Sequence, residues 1–300
     1  MHSRSAIDDF ERNGYAIIQG ALDADRRSAL RSAAEELLGS TITRGRDRGA
    51  DGKDGFRGCI ALSPSTFLPL IDNPAVLSVV IELLSPNIHL LSSHLIALPS
   101  IAAAQTRSIR VPERPGWHRD MYGVTADLGA LDTPRMAIKC AYYLTDITPQ
   151  AGLTMFLPGS HKHSALPVIP AGEIDPPGAI TPRVSASGLD AVIFENRTYH
   201  AGGLNTSGKP RIALMIQYGY RWLAPVDDGA PELLERPTTT DVQRQILGAP
   251  DRNPDGSLAK GAGAAPLRRR YPPEPYRPPQ TRAHKPYSVN ERCNDALQTR

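Results

Sequence analysis

Cysteine, aromatic side chains and net charge are all scarce in this chain of 300 residues. Its three cysteines, Cys59, Cys140 and Cys293, lie far apart and form no CxxC pair. That excludes a disulfide framework and a zinc knuckle, and leaves reduced thiols. Lysine and arginine number 34 against 31 aspartates and glutamates, a net charge of +3. So small an excess, with one isolated triplet at Arg268–Arg270, argues against nucleic acid or a membrane surface as partner. The longest apolar runs, such as "DAVIF", are strand-sized and far short of a membrane span. The opening "MHSRSAIDDFERNGY" lacks the apolar stretch of a secretory signal, so a cytoplasmic location is expected.

What is present falls into three textures. The first is helical. "AIDDFERNGYAIIQGAL" predicts a short helix, a turn at Asn13-Gly14 and a strand over Tyr15–Gln19. "DADRRSALRSAAEELLG" predicts a helix capped by Asp23 or Asp25 and ended by Gly39, with Leu30, Ala34, Leu37 and Leu38 as its apolar face. Residues 41–56, rich in Gly, Arg and Asp, read as a loop. Another helix is expected over about Pro74–Leu84, stopped before Pro86. From Asn87 the second texture begins. Short β-like runs such as "IHLLSSHLIALP", "RMAIKCAYYLTDI", "LTMFLPG" and "RIALMIQYGYRW" alternate with Gly, Pro and Asn. Helices followed by many short strands imply a mostly β fold, a sandwich or barrel with N-terminal helices beside it.

The third texture starts near Pro225. One helix is expected at Thr240–Leu247. The following stretch is dense in Pro, Gly and Arg and cannot build a core of its own. The expected division is therefore residues 1–230 as one domain and 231–300 as a Pro/Arg-rich arm. Two readings of the arm stand: irregular chain wrapped on the core, or a segment ordered against a second copy of the chain, as in a homodimer, or over a site.

Chemistry concentrates in "GWHRDMYG", residues 116–123. Residues i and i+2 of an extended stretch share a face, so His118 and Asp120 can aim at one ion. A third ligand has to come from elsewhere. Among His89, His94, His161, His163 and His200, the last stands out. It ends one strand-like run, before a Gly/Asn-rich turn and a second run that Arg211 opens. An antiparallel pair would bring Arg211 close to a metal held by His200. Two imidazoles and one carboxylate leave three cis positions open, which suits Fe(II) in oxygenases. A zinc hydrolase could use the same ligands but leaves the arginine without a role. An enzyme using 2-oxoglutarate explains it, because the distal carboxylate of that co-substrate needs a buried cation.

"GWHRD", "AGLTMFLPGSHK" and "YHAGGLNTSGKPRIAL", in that order, resemble the phytanoyl-CoA dioxygenase family over roughly residues 8–222. The resemblance implies a double-stranded β-helix core (jelly roll, cupin-like) over about residues 87–225, supported by helices in residues 1–86. It implies dependence on Fe(II), 2-oxoglutarate and O2, with His118, Asp120 and His200 on the iron and Arg211 on 2-oxoglutarate. Thr154 and Lys139 are further candidates for the co-substrate. Trp117 is expected to pack beside the metal or line the co-substrate pocket. Tyr122, Arg135, Met215 and Gln217 are candidate substrate contacts. Arg107, Arg110, Arg114 and Arg119 read as a solvated face or as a guide for an anionic substrate. His161 reads as structural or as a donor behind the ligands, and His163 as solvent-facing.

The expected activity is oxidation of an unactivated C–H of a small molecule, with succinate and CO2 released. Asp120 favours hydroxylation, because halogenating relatives of such enzymes replace the carboxylate with a small residue. Two alternatives stand: a jelly-roll metal-dependent hydrolase or isomerase without 2-oxoglutarate, and a non-catalytic binding protein on the same fold.

Overall fold

Asp23 begins the first long helix as the sequence predicts, its carboxylate accepting from the Arg26 amide at 2.7 Å. In the computed structural model, residues 2–49, 53–102, 115–128, 133–185, 187–227, 231–250, 255–257 and 265–271 are described. The N-terminal helices are α1 (His2–Asn13), α2 (Ala24–Gly39) and α3 (Pro74–Leu83). Leu30, Ala34 and Leu37 form the buried stripe of α2. α3 is capped by Asn73, with Pro74 in the first turn, where its missing N–H costs nothing.

The strands are β1 (Tyr15–Ile18), β2 (Arg46–Arg48), β3 (Asp54–Arg57), β4 (Ile88–Leu98) and β5 (Ala137–Tyr143). They continue with β6 (Thr154–Phe156), β7 (Ala191–Glu195), β8 (His200–Gly202) and β9 (Arg211–Tyr220). Seven of them form one antiparallel sheet in the order β1-β7-β5-β9-β4-β3-β2. β6 and β8 form a second, smaller sheet. It is widened by single bridges from His118 to His200 and from Ile180 to Phe156.

Strand alternation divides the large sheet between two cores. Ile138, Cys140, Tyr142, Ile193, Leu214, Ile216 and Tyr218 pack with the helices. Ala141, Tyr143, Val192, Phe194 and Ala213 face the other way, onto Phe156 of the smaller sheet and onto Ile147 and Leu153 in the segment leading to it. With both faces covered, β5, β7 and β9 carry apolar residues nearly throughout, which is why they read as continuous runs. Two facing antiparallel sheets with helices outside one of them make the double-stranded β-helix fold.

Residues 41–56 correct the sequence reading. Much of that stretch belongs to the β2–β3 hairpin, added at the edge of the large sheet. Its only large apolar anchor is Phe56, fully buried. The rest is held by polar contacts: Arg46 Nε donates to Asp54 Oδ1 at 2.9 Å, and the Arg46 guanidinium lies over the Phe56 ring at 5.0 Å.

Beyond residue 230 the chain forms α5 (Pro231–Leu234), α6 (Asp241–Ile246) and α7 (Ala265–Arg270). Thr240 and Gln243 form a capping box at the start of α6. Leu233, Ile246 and Leu267 are buried in the same core as the helices α1–α3. The reading of a dimer contact further along the arm lies outside the described residues. Among the described residues, no helix is long and apolar enough to cross a membrane.

Candidate active site

His118 and His200 sit opposite one another across two strands. Each backbone N–H donates to the other's carbonyl at 2.9 Å. Their rings lie 4.4 Å apart, centroid to centroid. Each imidazole is oriented from behind by the carbonyl two residues earlier: His118 Nδ1 to Gly116 O at 2.7 Å, His200 Nδ1 to Thr198 O at 2.8 Å. A proton on Nδ1 leaves the lone pair on Nε2, the form a metal takes. Both Nε2 atoms lie 3.9 Å from Asp120 Oδ1, so side-chain shifts of under about 1 Å would bring the three donors to the roughly 3 Å spacing of neighbouring ligands with bonds of about 2 Å. Among the described residues, these three form the one cluster of His, Cys, Asp and Glu suited to a metal.

The electrostatics match that use. Burial pushes His200 down to about 4, against the pull of Asp120, so the ring is neutral at ordinary pH. Burial raises Asp120, but Lys139 beside it, with His200, outweighs this and holds the carboxyl below its usual range. Lys139 Nζ donates to Asp120 Oδ1 at 2.9 Å. His118 is the exposed member, its side chain 54% accessible. Met121, directly after Asp120, has φ +57°, the only positive φ of a non-glycine among the described residues. Backbone strain of this kind gathers at functional sites.

Arg211 opens β9, opposite Leu98 of β4. It is buried, and burial pushes its pKa below the ordinary value while Tyr143 opposes the shift. Its guanidinium carbon lies 5.5 Å from the Tyr143 ring centre. Nε and Nη1 have no hydrogen-bond partner. A buried cation left in that state costs several kcal/mol, so the site fits a carboxylate there. Tyr143 also donates to Thr154 Oγ1 at 3.2 Å, which ties the Arg211 side of the large sheet to the smaller one. A cavity of about 1390 Å³ collects these groups: His118, Asp120, His200, Lys139, Thr154 and Arg211, with Met215 and Gln217 on its wall.

Other expected contacts are not brought in. Trp117 does not line the cavity. Its Nε1 donates to Asp175 Oδ1 at 2.9 Å and its ring stacks on Tyr199, so it secures the strand that carries His118. Arg135 is likewise corrected. It is tied to Glu195 at 2.7 Å and Glu11 at 2.8 Å, away from the cavity, because these acids need a cation where α1 meets the sheet. Tyr122 begins α4 (Tyr122–Leu128), and its side chain lies outside the described residues. So do Arg107, Arg110 and Arg114. Arg119 gives its guanidinium to the carbonyls of Ser160, His163 and Ser164, which fixes the turn after β6. His161 is buried, with Nε2 3.3 Å from Glu11 O, and His163 is exposed.

The sequence reading missed Tyr143. The alternation Lys139, Ala141, Tyr143 along β5 places it on the same face as Lys139 and is the signal that could have found it. Asp47 was missed with its hairpin.

Comparison with known proteins accords with this geometry. Residues 10–213 match the family described as Phytanoyl-CoA dioxygenase (PhyH). An uncharacterised protein of Mycobacterium tuberculosis is 26% identical over 242 residues, covering 78% of this chain and 82% of that one. The dioxygenase hkm4 of Aspergillus hancockii is 33% identical over 117 residues, 39% of this chain and 36% of its own. Among solved structures, the epimerase SnoN in complex with Fe3+, alpha ketoglutarate and nogalamycin RO aligns with a TM-score of 0.54 at 19% identity, covering 86% of this chain and 96% of SnoN. The non-heme alpha ketoglutarate dependent carbocyclase SnoK from nogalamycin biosynthesis aligns equally well, over 76% of this chain and 91% of its own. Those two likenesses carry the fold. The donor set, the two unpartnered nitrogens of Arg211 and the family together fit Fe(II), 2-oxoglutarate and O2 as cofactors. Matched over about two thirds of its length, with the three metal-competent side chains inside the matched span, the chain belongs to the phytanoyl-CoA dioxygenase family.

Proposed function

We propose that the protein is an Fe(II)- and 2-oxoglutarate-dependent dioxygenase that hydroxylates an unactivated C–H of a small organic molecule, releasing succinate and CO2. The observation that carries this is Arg211: a buried guanidinium with two unpartnered nitrogens in the same cavity as His118, Asp120 and His200. A hydrolase or isomerase that works without 2-oxoglutarate has no co-substrate carboxylate for such a cation to hold, and a binding protein has no need of the adjacent ligand set.

His118, Asp120 and His200 would hold the iron, through Nε2, a carboxylate oxygen and Nε2. Bound there together, iron and 2-oxoglutarate supply the oxidising power drawn from O2. Arg211 holds the distal carboxylate of the co-substrate, with Tyr143 fixing the guanidinium and Thr154 beside it as a further hydrogen-bonding group. Lys139 neutralises Asp120 and would be at hand for the keto-acid end of 2-oxoglutarate when it is bound. Met215 and Phe194 give the cavity apolar walls that keep water from the reacting carbon. Gly116 O and Thr198 O keep both imidazoles in one tautomer.

Asp120 supports hydroxylation, because the carboxylate occupies the position that halogenation would need vacant. SnoN is named an epimerase and SnoK a carbocyclase, so this fold also serves outcomes other than hydroxylation. A cytoplasmic setting is supported by the dispersed cysteines, of which Cys140 is buried and free. The test is substrate-stimulated succinate release across pooled metabolites, with Fe(II) and 2-oxoglutarate supplied. At least one pool should raise succinate well above the uncoupled level and yield an oxygenated product. Metal-dependent hydrolysis without 2-oxoglutarate consumption would contradict the proposal.

A further inference from the structure

The cavity continues past the metal ligands to a wall that the chemistry above leaves unused. Cross-strand register lays out its side chains in rows. One row runs Lys139, Gln217, Ser92. It begins beside Asp120 and is polar throughout, with Ser92 Oγ donating to Gln217 Oε1 at 3.0 Å. The next runs Ala141, Met215, His94, Arg57, across β5, β9, β4 and β3. The β2–β3 hairpin then brings Asp47 over the end of that row. Asp47 Oδ2 lies 3.0 Å from His94 Nε2 and accepts from Arg57 Nε at 2.7 Å. His94, Asp47 and Arg57 all line the cavity.

The hairpin has support besides these three. Backbone pairing joins β3 to β4, and Arg46 with Asp54 clamps β2 to β3 separately. Charge is balanced locally, since Arg57 offsets Asp47. Burial and Arg57 push His94 down to about 4, against Asp47, so the ring is neutral. With Asp47 at Nε2, the favoured tautomer carries its proton there and offers Nδ1 as an acceptor. The wall thus presents an imidazole acceptor and a carboxylate whose charge is already matched.

We propose that His94 and Asp47 form a substrate-orienting subsite that takes an alcoholic or phenolic hydroxyl of a free, neutral organic molecule, with the carbon to be oxidised lying toward His118 and Asp120. A hydroxyl can donate to His94 Nδ1 and accept from an Arg57 N–H other than the Nε–H given to Asp47, which suits this trio. With Arg57 and Asp47 balancing one another and His94 neutral, this trio holds no net positive charge for the phosphates of a carrier such as an acyl-CoA. Typical small-molecule sites enclose about 300–1,000 Å³, so a cavity of about 1390 Å³ accommodates the co-substrate and a multi-ring molecule together. The orientation of the bound molecule rests on the dioxygenase reading; the hydroxyl contact does not.

The test uses the full chain, loaded anaerobically with Fe(II) and 2-oxoglutarate. The probes are a panel of polycyclic phenols and alcohols, their O-methyl ethers, and hexadecanoyl-CoA, with affinities measured by calorimetry. At least one hydroxylated probe should bind about tenfold or more tighter than its ether. His94→Phe and Asp47→Ala should each erase that preference while the ether's affinity changes little. His94→Gln, which keeps a hydrogen-bonding group, should retain part of it. The visible Fe(II)–2-oxoglutarate charge-transfer band reports whether each variant is folded and loaded. Loss of the band in the unsubstituted protein would count against the dioxygenase reading and not against the subsite. With the band intact, the subsite is overturned by three results: no hydroxylated probe binding, hexadecanoyl-CoA binding best, or a preference that survives His94→Phe.

Discussion

His118 and His200 exchange both backbone hydrogen bonds of a single antiparallel pair, at 2.9 Å each. The spacing of the two imidazoles is therefore set by sheet geometry and not by loop conformation. Asp120, two residues beyond His118, shares its face. A ligand set built this way is pre-organised before metal arrives.

Removing one member should abolish metal binding without unfolding the chain. Changes behind a metal's ligands already cost about 10–100-fold in affinity, so His200→Ala should exceed that for Fe(II). Equilibrium dialysis with metal analysis measures it, and circular dichroism checks that the sheet remains. A variant that binds Fe(II) as tightly as the parent would remove His200 from the site.

Gly55 lies in β3, where an added Cβ would sit 1.9 Å from the Leu95 carbonyl oxygen on β4. That atom is backbone and cannot swing away. Gly55→Ala should force the hairpin off the sheet edge and destabilise the chain by roughly 1–3 kcal/mol, the range for overpacking. Urea unfolding reads the loss. Because the hairpin supplies Asp47 to the cavity wall, the same change should weaken small-molecule binding more than Fe(II) binding.

Arg135 bonds Glu11 and, with burial opposing, holds its carboxyl below the usual range. A depressed folded value means that the pair's stability is present above the unfolded pKa of about 4.3 and is lost as pH falls through the folded one. The Glu11 side chain is 53% exposed, so the contribution is at most about 1 kcal/mol. Glu11→Gln should therefore be slightly less stable than the parent at about pH 7, and the gap should close by about pH 3. Denaturant midpoints at the two pH values decide it; a gap that widens in acid would contradict the assignment.

Much of the site was legible because its residues sit at fixed offsets on strands. His118 and Asp120 share a face by period. Arg211 reaches the same cavity, but not through the expected antiparallel pair with the His200 strand: β8 pairs with β6 in the smaller sheet, and β9 with β4 and β5 in the large one, so the two residues meet across the space between the sheets. The helix over residues 24–39 was legible from Asp23 and its apolar stripe. The hairpin at 46–57 was not, since Phe56 is its only large apolar anchor and ion pairs supply the rest. Arg135 was misread because its partners, Glu11 and Glu195, lie 124 and 60 residues away and meet it only in the fold. The segment beyond residue 230 docks through Leu233, Ile246 and Leu267, single anchors too far apart to show any period. Tyr143 was hidden by its strand, which is apolar on both faces and blurs the alternation.

The most direct measurement is an anaerobic titration of the Fe(II)-loaded protein with 2-oxoglutarate, following the visible metal-to-ligand charge-transfer band. The parent chain should show a band that saturates. Arg211→Met should keep its Fe(II) and need about 100-fold more co-substrate to reach the same band, the loss expected for a buried charge-assisted pair. No band in the parent, or the same titration curve in both proteins, would contradict the assignment of this cavity to iron and 2-oxoglutarate.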